Sequence, residues 1–301
     1  MRNMHAGMAG GQSGILPEMI LHGGNRLHHQ IHELIQVWRS GLVVSDWSGA
    51  IIVPIPKKGD LRSCDNWRGI SLLDVAGKLF AQIIQNRLQH IAEFVLPDSQ
   101  CGFRKGRGCV DMILVAWHLH EKTVEHQSQL CAVFVDLKKA YDSIPRLALW
   151  RVLEKLGVPP TMLSLIKSLH EGMTAQIRVS GNLTDSIAVC NGLRQGCTLA
   201  PTLFNLYFSA VMTSWRSQST SRGVPVKYRI GRKLVGDRTA KSRLDAVYIT
   251  ESQFADDAVL YTISRPCLDQ TVCQFVSCAS RWGLTVSIEK TKQTNKTKRT
   301  R

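Results

Sequence analysis

No apolar run in this sequence reaches the roughly 18 residues that a membrane-spanning helix requires. The first residues, MRNMHAGMAGG, lack the apolar stretch of a signal peptide, which speaks against secretion. Nine cysteines are present, an odd number, and none form a Cys-x2-Cys pair, so neither a zinc framework nor a disulfide scaffold is indicated. Cys273 and Cys278 have no matching second pair, and His28 and His32, which share a helix face, have no third ligand. Reduced thiols in an intracellular protein, nuclear or cytoplasmic, are the expectation. Acidic residues are also scarce. Asp and Glu number 23 against 38 Lys and Arg, a formal net charge of +15, with a pI near 9.7. Such an excess of base points to a polyanionic partner, nucleic acid first. No basic amphipathic helix supports an anionic membrane instead.

What is present suits a folded chain. Hydrophobic residues make up 44% and charged residues 20% of 301 positions, enough for one large domain or two of ordinary size. Leu27, Ile31, Leu34, Ile35 and Trp38 recur at helical spacing, with Gly41 as a stop. IIVPIPKK (51–58) reads as a strand, and 75–95 as a helix through Val75, Leu79, Ile83, Leu88 and Phe94. LCAVFV (130–135) has the continuous apolar character of a strand buried on both faces. A helix over 145–156, a hairpin over 175–190 and a helix over 201–215 follow, the last with Leu203, Phe204, Tyr207, Phe208, Val211 and Trp215 on one stripe. Two strands then flank an Ala-Asp-Asp tip within 247–263, a helix covers 266–282, and LTVSI (284–288) alternates as a last strand. Helices crossing over between strands predict an α+β sheet with helices on one face, most economically the split βαβ or ferredoxin-like arrangement. A basic block at 222–243 precedes the Asp-Asp hairpin.

Three acids have no structural errand. Asp136 ends the apolar strand, and Asp256 and Asp257 are adjacent on a tight turn. Neighbouring carboxylates repel, and keeping both ionised favours a nearby cation. Magnesium in phosphate chemistry uses one or two carboxylates and completes its shell with water and substrate phosphates. If the strand ending at Asp136 lies beside the Asp-Asp hairpin, the three acids converge. Two ions about 4 Å apart could then activate a hydroxyl and stabilise a leaving oxygen. The plainer alternative is turn chemistry at 256–257 and a cap at 136.

The ordered segments resemble the polymerase domain of reverse transcriptases, specifically the LINE-type, non-LTR retrotransposon branch. IIVPIPKKGD (51–60) and CDNWRGISLLDVAGKLFAQII (64–84) resemble its opening finger blocks, and QCGFRKGRGCVDMI (100–113) the next. AVFVDLKKAYDSI (132–144) resembles the first catalytic block, NGLRQGCTLAPTLFNLYF (191–208) the nucleotide-handling block, FADD (254–257) the paired-aspartate block and GLTVSIEKTK (283–292) the lysine-bearing block. The resemblance implies Asp136, Asp256 and Asp257 as ligands of two Mg2+ ions, with Mn2+ as the alternative. It implies Tyr141 as a steric gate against a 2′-hydroxyl, Gln195 and Gly196 at the incoming nucleotide, and Arg68 and Lys58 on the triphosphate. Lys290 is implied as the acid that protonates pyrophosphate. Arg104, Lys105 and Arg107, among glycines, form a basic loop suited to template phosphates. Each cation has the plainer reading of a solvated charge, and Tyr141 that of a core aromatic.

The implied layout is an N-terminal helical extension (1–49), a reverse transcriptase domain (50–292, fingers about 50–129 and palm about 130–292) and a basic disordered tail (293–301). The tail, TKQTNKTKRTR from 291, has no apolar periodicity and stands where the family continues into a thumb. The expectation is therefore a fragment that ends after the palm. The implied activity is RNA-directed DNA polymerisation with an RNA template, a DNA primer and dNTPs. A catalytically inactive RNA-binding remnant is the alternative, and an RNA-templated RNA polymerase a third reading.

Overall fold

The hydrophobic periodicities close into helices and strands in a computed structural model that describes residues 7, 9–36, 39, 43–230 and 243–296. In chain order these are α1 (Pro17–His22), α2 (Gly24–Ile35), β1 (Gly49–Pro56), β2 (Trp67–Leu72), α3 (Val75–Val95), α4 (Cys109–Glu125) and β3 (Leu130–Val135). There follow α5 (Ala140–Ser143), α6 (Arg146–Lys155), α7 (Pro160–His170), β4 (Thr174–Val179), β5 (Asn182–Leu183), β6 (Ile187–Ala188) and α8 (Ala200–Gln218). The last are β7 (Val224–Ile230), β8 (Arg243–Ile249), β9 (Glu251–Phe254), β10 (Asp257–Thr262), α9 (Arg265–Arg281) and β11 (Lys292–Lys296). Trp38, Gly41 and the middle of the basic block, 231–242, lie outside the described residues. No described helix is long and apolar enough to cross a membrane.

Two compact units alternate along the chain. One comprises Met1–Leu96 and Tyr141–Tyr207, the other Pro97–Ala140 and Phe208–Arg301. In the first, β1 pairs antiparallel with β2 and parallel with β4, and β4 carries β5 and β6 on antiparallel pairings. The expected N-terminal extension is built into this unit. Ile20 and Ile31 are buried with Val75 of α3, and the Asp74 carboxylate accepts from the Ser13 backbone N–H and hydroxyl at 2.9 and 2.6 Å. Helix α3 buries Phe80, Ala81, Ile84, Leu88 and Ala92. Val75 and Leu88 of the expected stripe are also buried and Leu79 packs beside them, but the stripe is broader than expected and Phe94 stands 93% exposed.

In the second unit β11, β3, β10 and β9 form one sheet in that order. All its pairs are antiparallel, so β3 and β9 run parallel with β10 between them, the split βαβ arrangement that the sequence predicts. Helices α4 and α9 pack on it. Leu119, Ala132, Val224 and Tyr261 form a buried cluster, each large side chain contributing about 1.5–3 kcal/mol. Strand β3 is buried at Cys131–Val133 and Val135, as the apolar run predicts, but Phe134 is open. The expected strand LTVSI reduces to a bridge, Leu137 with Val286. The expected disordered tail begins instead with β11, whose residues 292–296 pair with β3 along its length. A polar sequence shows no strand period; β3's free edge supplies the backbone partners that its own side chains do not announce.

Helix α8 buries its predicted stripe and also Thr202, Asn205, Leu206 and Met212, so burial extends beyond one face up to residue 212, whereas Thr213, Ser217 and Gln218 are exposed. Helix α4 shows the reverse: Val110, Ile113, Leu114 and Trp117 are all exposed.

His170, at the end of α7, is buried and donates from Nδ1 to the Ile166 carbonyl at 2.8 Å. Burial first, then the charges of Arg194 and Arg146, push its pKa down to about 4. The unfolded chain therefore takes up a proton near pH 6.5 that the folded chain refuses. Stability is full above about pH 6.5 and is lost as pH falls towards 4, by about 3 kcal/mol at most. Thermal melts between pH 7 and 4 are expected to show this decline in the wild type and a shallower one in His170→Gln.

Candidate active site

The register of the second unit's sheet delivers the acids. Ala258 of β10 faces Val135 of β3, so Asp257 and Asp136 are the next antiparallel neighbours. Asp257 also pairs with Phe254 across the turn of the β9–β10 hairpin, which leaves Ala255 and Asp256 as the two-residue loop. Asp136 and Asp256 are half-buried, and Asp257 is exposed as a whole residue while its carboxyl is partly screened from water. The Asp257 carboxyl is pushed above its ordinary range by desolvation, then by the charges of Asp256 and Asp136. The charges of both Asp256 and Asp136 thus reach Asp257, as expected if the strand of Asp136 lies beside the hairpin. Among the described residues no three ligating side chains stand close enough to cage an ion unaided. An Mg2+ shell completed by substrate phosphates does not need such a cage. The mutual charge on Asp257 is the feature a cation would relieve, so the donor set fits a hard divalent ion.

Lys290 is exposed on the turn before β11. That turn is tied to the same place: the Ser287 N–H donates to the Asp136 carbonyl at 2.8 Å, and the Thr291 N–H to the Ser287 carbonyl at 3.0 Å.

The glycine-rich loop of this unit divides its three cations. Arg104 is buried and donates from Nη1 to the carbonyls of Pro97 and Gln100 at 2.8 and 3.1 Å. Arg107 pairs with Asp98 at 2.5 Å, and Lys105 is exposed. Gln100, whose side chain is fully buried, touches the acidic turn: Oε1 accepts from Ala255 N–H at 2.9 Å. Sequence reading missed it, because a lone Gln carries no spacing signal.

The first unit holds the other expected residues. Lys58 and Arg68 are both exposed and belong to one hairpin, Lys58 in the turn and Arg68 on β2 opposite Ile55. Tyr141 is half-buried and stacks on Phe204, centroids 4.6 Å apart. Gln195 donates from Nε2 to both oxygens of Asp142, at 2.9 and 3.0 Å, and its carbonyl accepts from Ser71 N–H. Asp142 is therefore the partner that aims Gln195. A Cβ at Gly196 would meet the Ser71 carbonyl at 2.6 Å, so the close approach there is to the protein's own backbone. Two arginines that the motif reading passed over fix this loop. Arg146 donates to the carbonyls of Asn191 and Gly192. Arg194 is buried and donates to those of Trp47, Ser48 and Leu169 at 2.6–2.9 Å. Burial draws its pKa down to about 10, which leaves it charged at neutral pH.

Residues 55–301 match the family described as reverse transcriptase (RNA-dependent DNA polymerase). The chain belongs to the reverse transcriptase family. Its relatives place it in the non-LTR retrotransposon branch. It is 29% identical over 179 residues to the Pol polyprotein of type-1 retrotransposable element R2 from Popillia japonica, covering 59% of this chain and 25% of that one. It is 24% identical over 253 residues to the RNA-directed DNA polymerase of mobile element jockey from Drosophila melanogaster, covering 81% and 25%. Among solved structures, apo telomerase from Candida tropicalis, truncated from its C-terminal domain, matches with a TM-score of 0.59 at 14% identity, over 89% of this chain and 56% of that one. That likeness establishes the fold, an α+β polymerase architecture. The reverse transcriptase chain spans about a quarter or less of the curated relatives it matches.

Proposed function

We propose that this domain catalyses RNA-directed DNA synthesis, adding dNTPs to the 3′-hydroxyl of a DNA primer on an RNA template by two-metal nucleotidyl transfer. The observation that carries the reading is the register that puts Asp257 beside Asp136 at one end of the β3–β10 pair, where the charges of Asp136 and Asp256 both reach Asp257. Bound there, Mg2+ or Mn2+ would neutralise triphosphate charge and lower the pKa of the attacking hydroxyl. The three carboxylates hold the ions, and Lys290, on the turn tied to Asp136, protonates the pyrophosphate. Lys58 and Arg68, on one hairpin, bind triphosphate oxygens, for which the guanidinium fork is suited. Gln195, held by Asp142, and the adjoining Gly196 contact the nucleotide. Lys105 and Arg107 serve the template phosphates, and Arg104 shapes their loop from within.

Primer extension with an RNA template, a DNA primer and dNTPs tests the proposal. Magnesium-dependent extension supports it. Template binding without extension identifies a non-catalytic RNA-binding remnant instead.

Tyr141 is the sugar gate in this reading. Tyr141→Val is expected to raise ribonucleotide use relative to dNTP use by about 10-fold or more, from a steric penalty of about 1.4 kcal/mol or more. The ratio of kcat/KM values measures it. An unchanged ratio would leave Tyr141 as a core aromatic supporting Phe204.

A further inference from the structure

We propose that Gln100 is the positioning residue for the paired aspartates: its buried side-chain amide clasps the backbone of Ala255 and so fixes the turn that carries Asp256 and Asp257. The inference rests on the metal-binding role of those acids given above.

Ala255 needs such a clasp. Its φ of +55° lies in the left-handed region, where the Cβ of an alanine crowds the backbone. A two-residue loop that relaxed out of this conformation would redirect the next residue, Asp256, and displace Asp257 from its place beside Asp136. Gln100 engages both polar groups of the strained residue. Oε1 accepts from Ala255 N–H and from Gly102 N–H, each at 2.9 Å. Nε2 donates to the Ala255 carbonyl at 3.2 Å and to Gln253 Oε1 at 3.4 Å. An amide offers an acceptor and a donor on one planar group, which is what matching a peptide's N–H and C=O requires. Leucine or methionine would remove the acceptor that both N–H groups use, and asparagine is one methylene too short.

The clasp is itself held. Cys101 N–H donates to the Gln253 carbonyl at 2.9 Å, and Gln253 N–H to the Ser99 carbonyl at 2.7 Å, so residues 99–101 run as a parallel bridge beside β9. The Arg104 guanidinium secures the Gln100 carbonyl. A Cβ on Gly102 would stand 2.2 Å from Ala255 N, so the two segments approach as closely as backbone allows. Displacement of reacting groups by about 1 Å is enough to cost about 10²-fold in rate.

The test compares wild type, Gln100→Met, Gln100→Asn and Asp256→Asn. In Gln100→Met, amide exchange over residues 254–257 is expected to accelerate at least about 10-fold while Cys131–Val135 stays protected. In primer extension, kcat is expected to fall about 10–100-fold, half-saturating Mg2+ to rise several-fold, and KM for dNTP to stay within about twofold. Gln100→Asn, a milder change, is expected to fall between Met and wild type, and it decides the matter if the Met variant does not fold. Slow exchange at Ala255 in the wild type is a further requirement that needs no variant. Unchanged exchange in the variants would show that the clasp does not hold the turn. Faster exchange with unaltered kcat and Mg2+ dependence would show that it holds the turn without serving the acids. Full activity of Asp256→Asn in the same assay would instead remove the metal-binding reading on which the inference rests.

Discussion

Asp256→Asn is expected to abolish primer extension, lowering kcat by at least about 10³-fold. The substitution preserves size and hydrogen-bonding shape and removes one negative charge. If that charge holds a cation against the triphosphate, several kcal/mol of transition-state stabilisation go with it. Asp136→Asn is expected to behave alike, because the charges of both residues converge on Asp257. A second readout separates this from misfolding. The Asp257 carboxyl stands above its ordinary range partly because of Asp256. In the metal-free protein, Asp256→Asn therefore lowers the Asp257 pKa towards the usual value, which a carboxyl NMR titration detects. A variant that keeps its extension rate, with its fold intact, would contradict the assignment.

Gly192→Ala is expected to be the most damaging small substitution in the unit that holds Tyr141 and Gln195. Gly192 has a φ of +76°, and a Cβ there would lie 2.5–2.7 Å from the carbonyl oxygen, Cα and carbonyl carbon of Asp142. None of these is the end of a flexible side chain, so the backbone must give. Left-handed strain of about 1–2 kcal/mol adds to an overpacking cost of about 1–3 kcal/mol. The loop is also bonded to its surroundings: Gly192 N–H donates to the Ile144 carbonyl, and Leu193 N–H to the Tyr141 carbonyl. A total loss of about 2–5 kcal/mol in chemical denaturation is the expected result, with impaired dNTP binding as Asp142 and Gln195 shift. Gly181→Ala is the control. Its φ is +87°, but nothing lies within 4 Å of the added carbon, so only the strain remains. Equal losses in the two variants would show that contact with Asp142 contributes nothing.

The sequence makes some of this legible and hides the rest for physical reasons. Strand β3 is plain because its residues are apolar almost without interruption, and β10 because the apolar run AVLY follows directly on a pair of acids. Together they were enough to anticipate the neighbourhood of Asp136 and Asp257. Strand β11 is hidden because it is polar and owes its conformation to the edge of β3. The full width of the α3 core is hidden because Phe80, Ala81 and Ile84 add a second buried row beside Val75 and Leu88, while Phe94 has the right spacing and stays exposed. Gln100, Arg146 and Arg194 are hidden for another reason. Their partners are backbone groups distant in sequence, and no side-chain pattern records which carbonyl or N–H a polar residue will meet. Arg104 shows the same limit from the other side: a basic residue among glycines reads as a phosphate ligand, yet its guanidinium is turned to carbonyls of its own loop.

The most direct measurement is an anomalous difference map of the protein crystallised with Mn2+, primer–template and a non-incorporating dNTP analogue. The account predicts manganese within about 2.3 Å of carboxylate oxygens from both Asp136 and the Asp256–Asp257 pair, with triphosphate oxygens completing the shell. Manganese held by the triphosphate alone, with Asp136 and the pair free of it, would contradict the account.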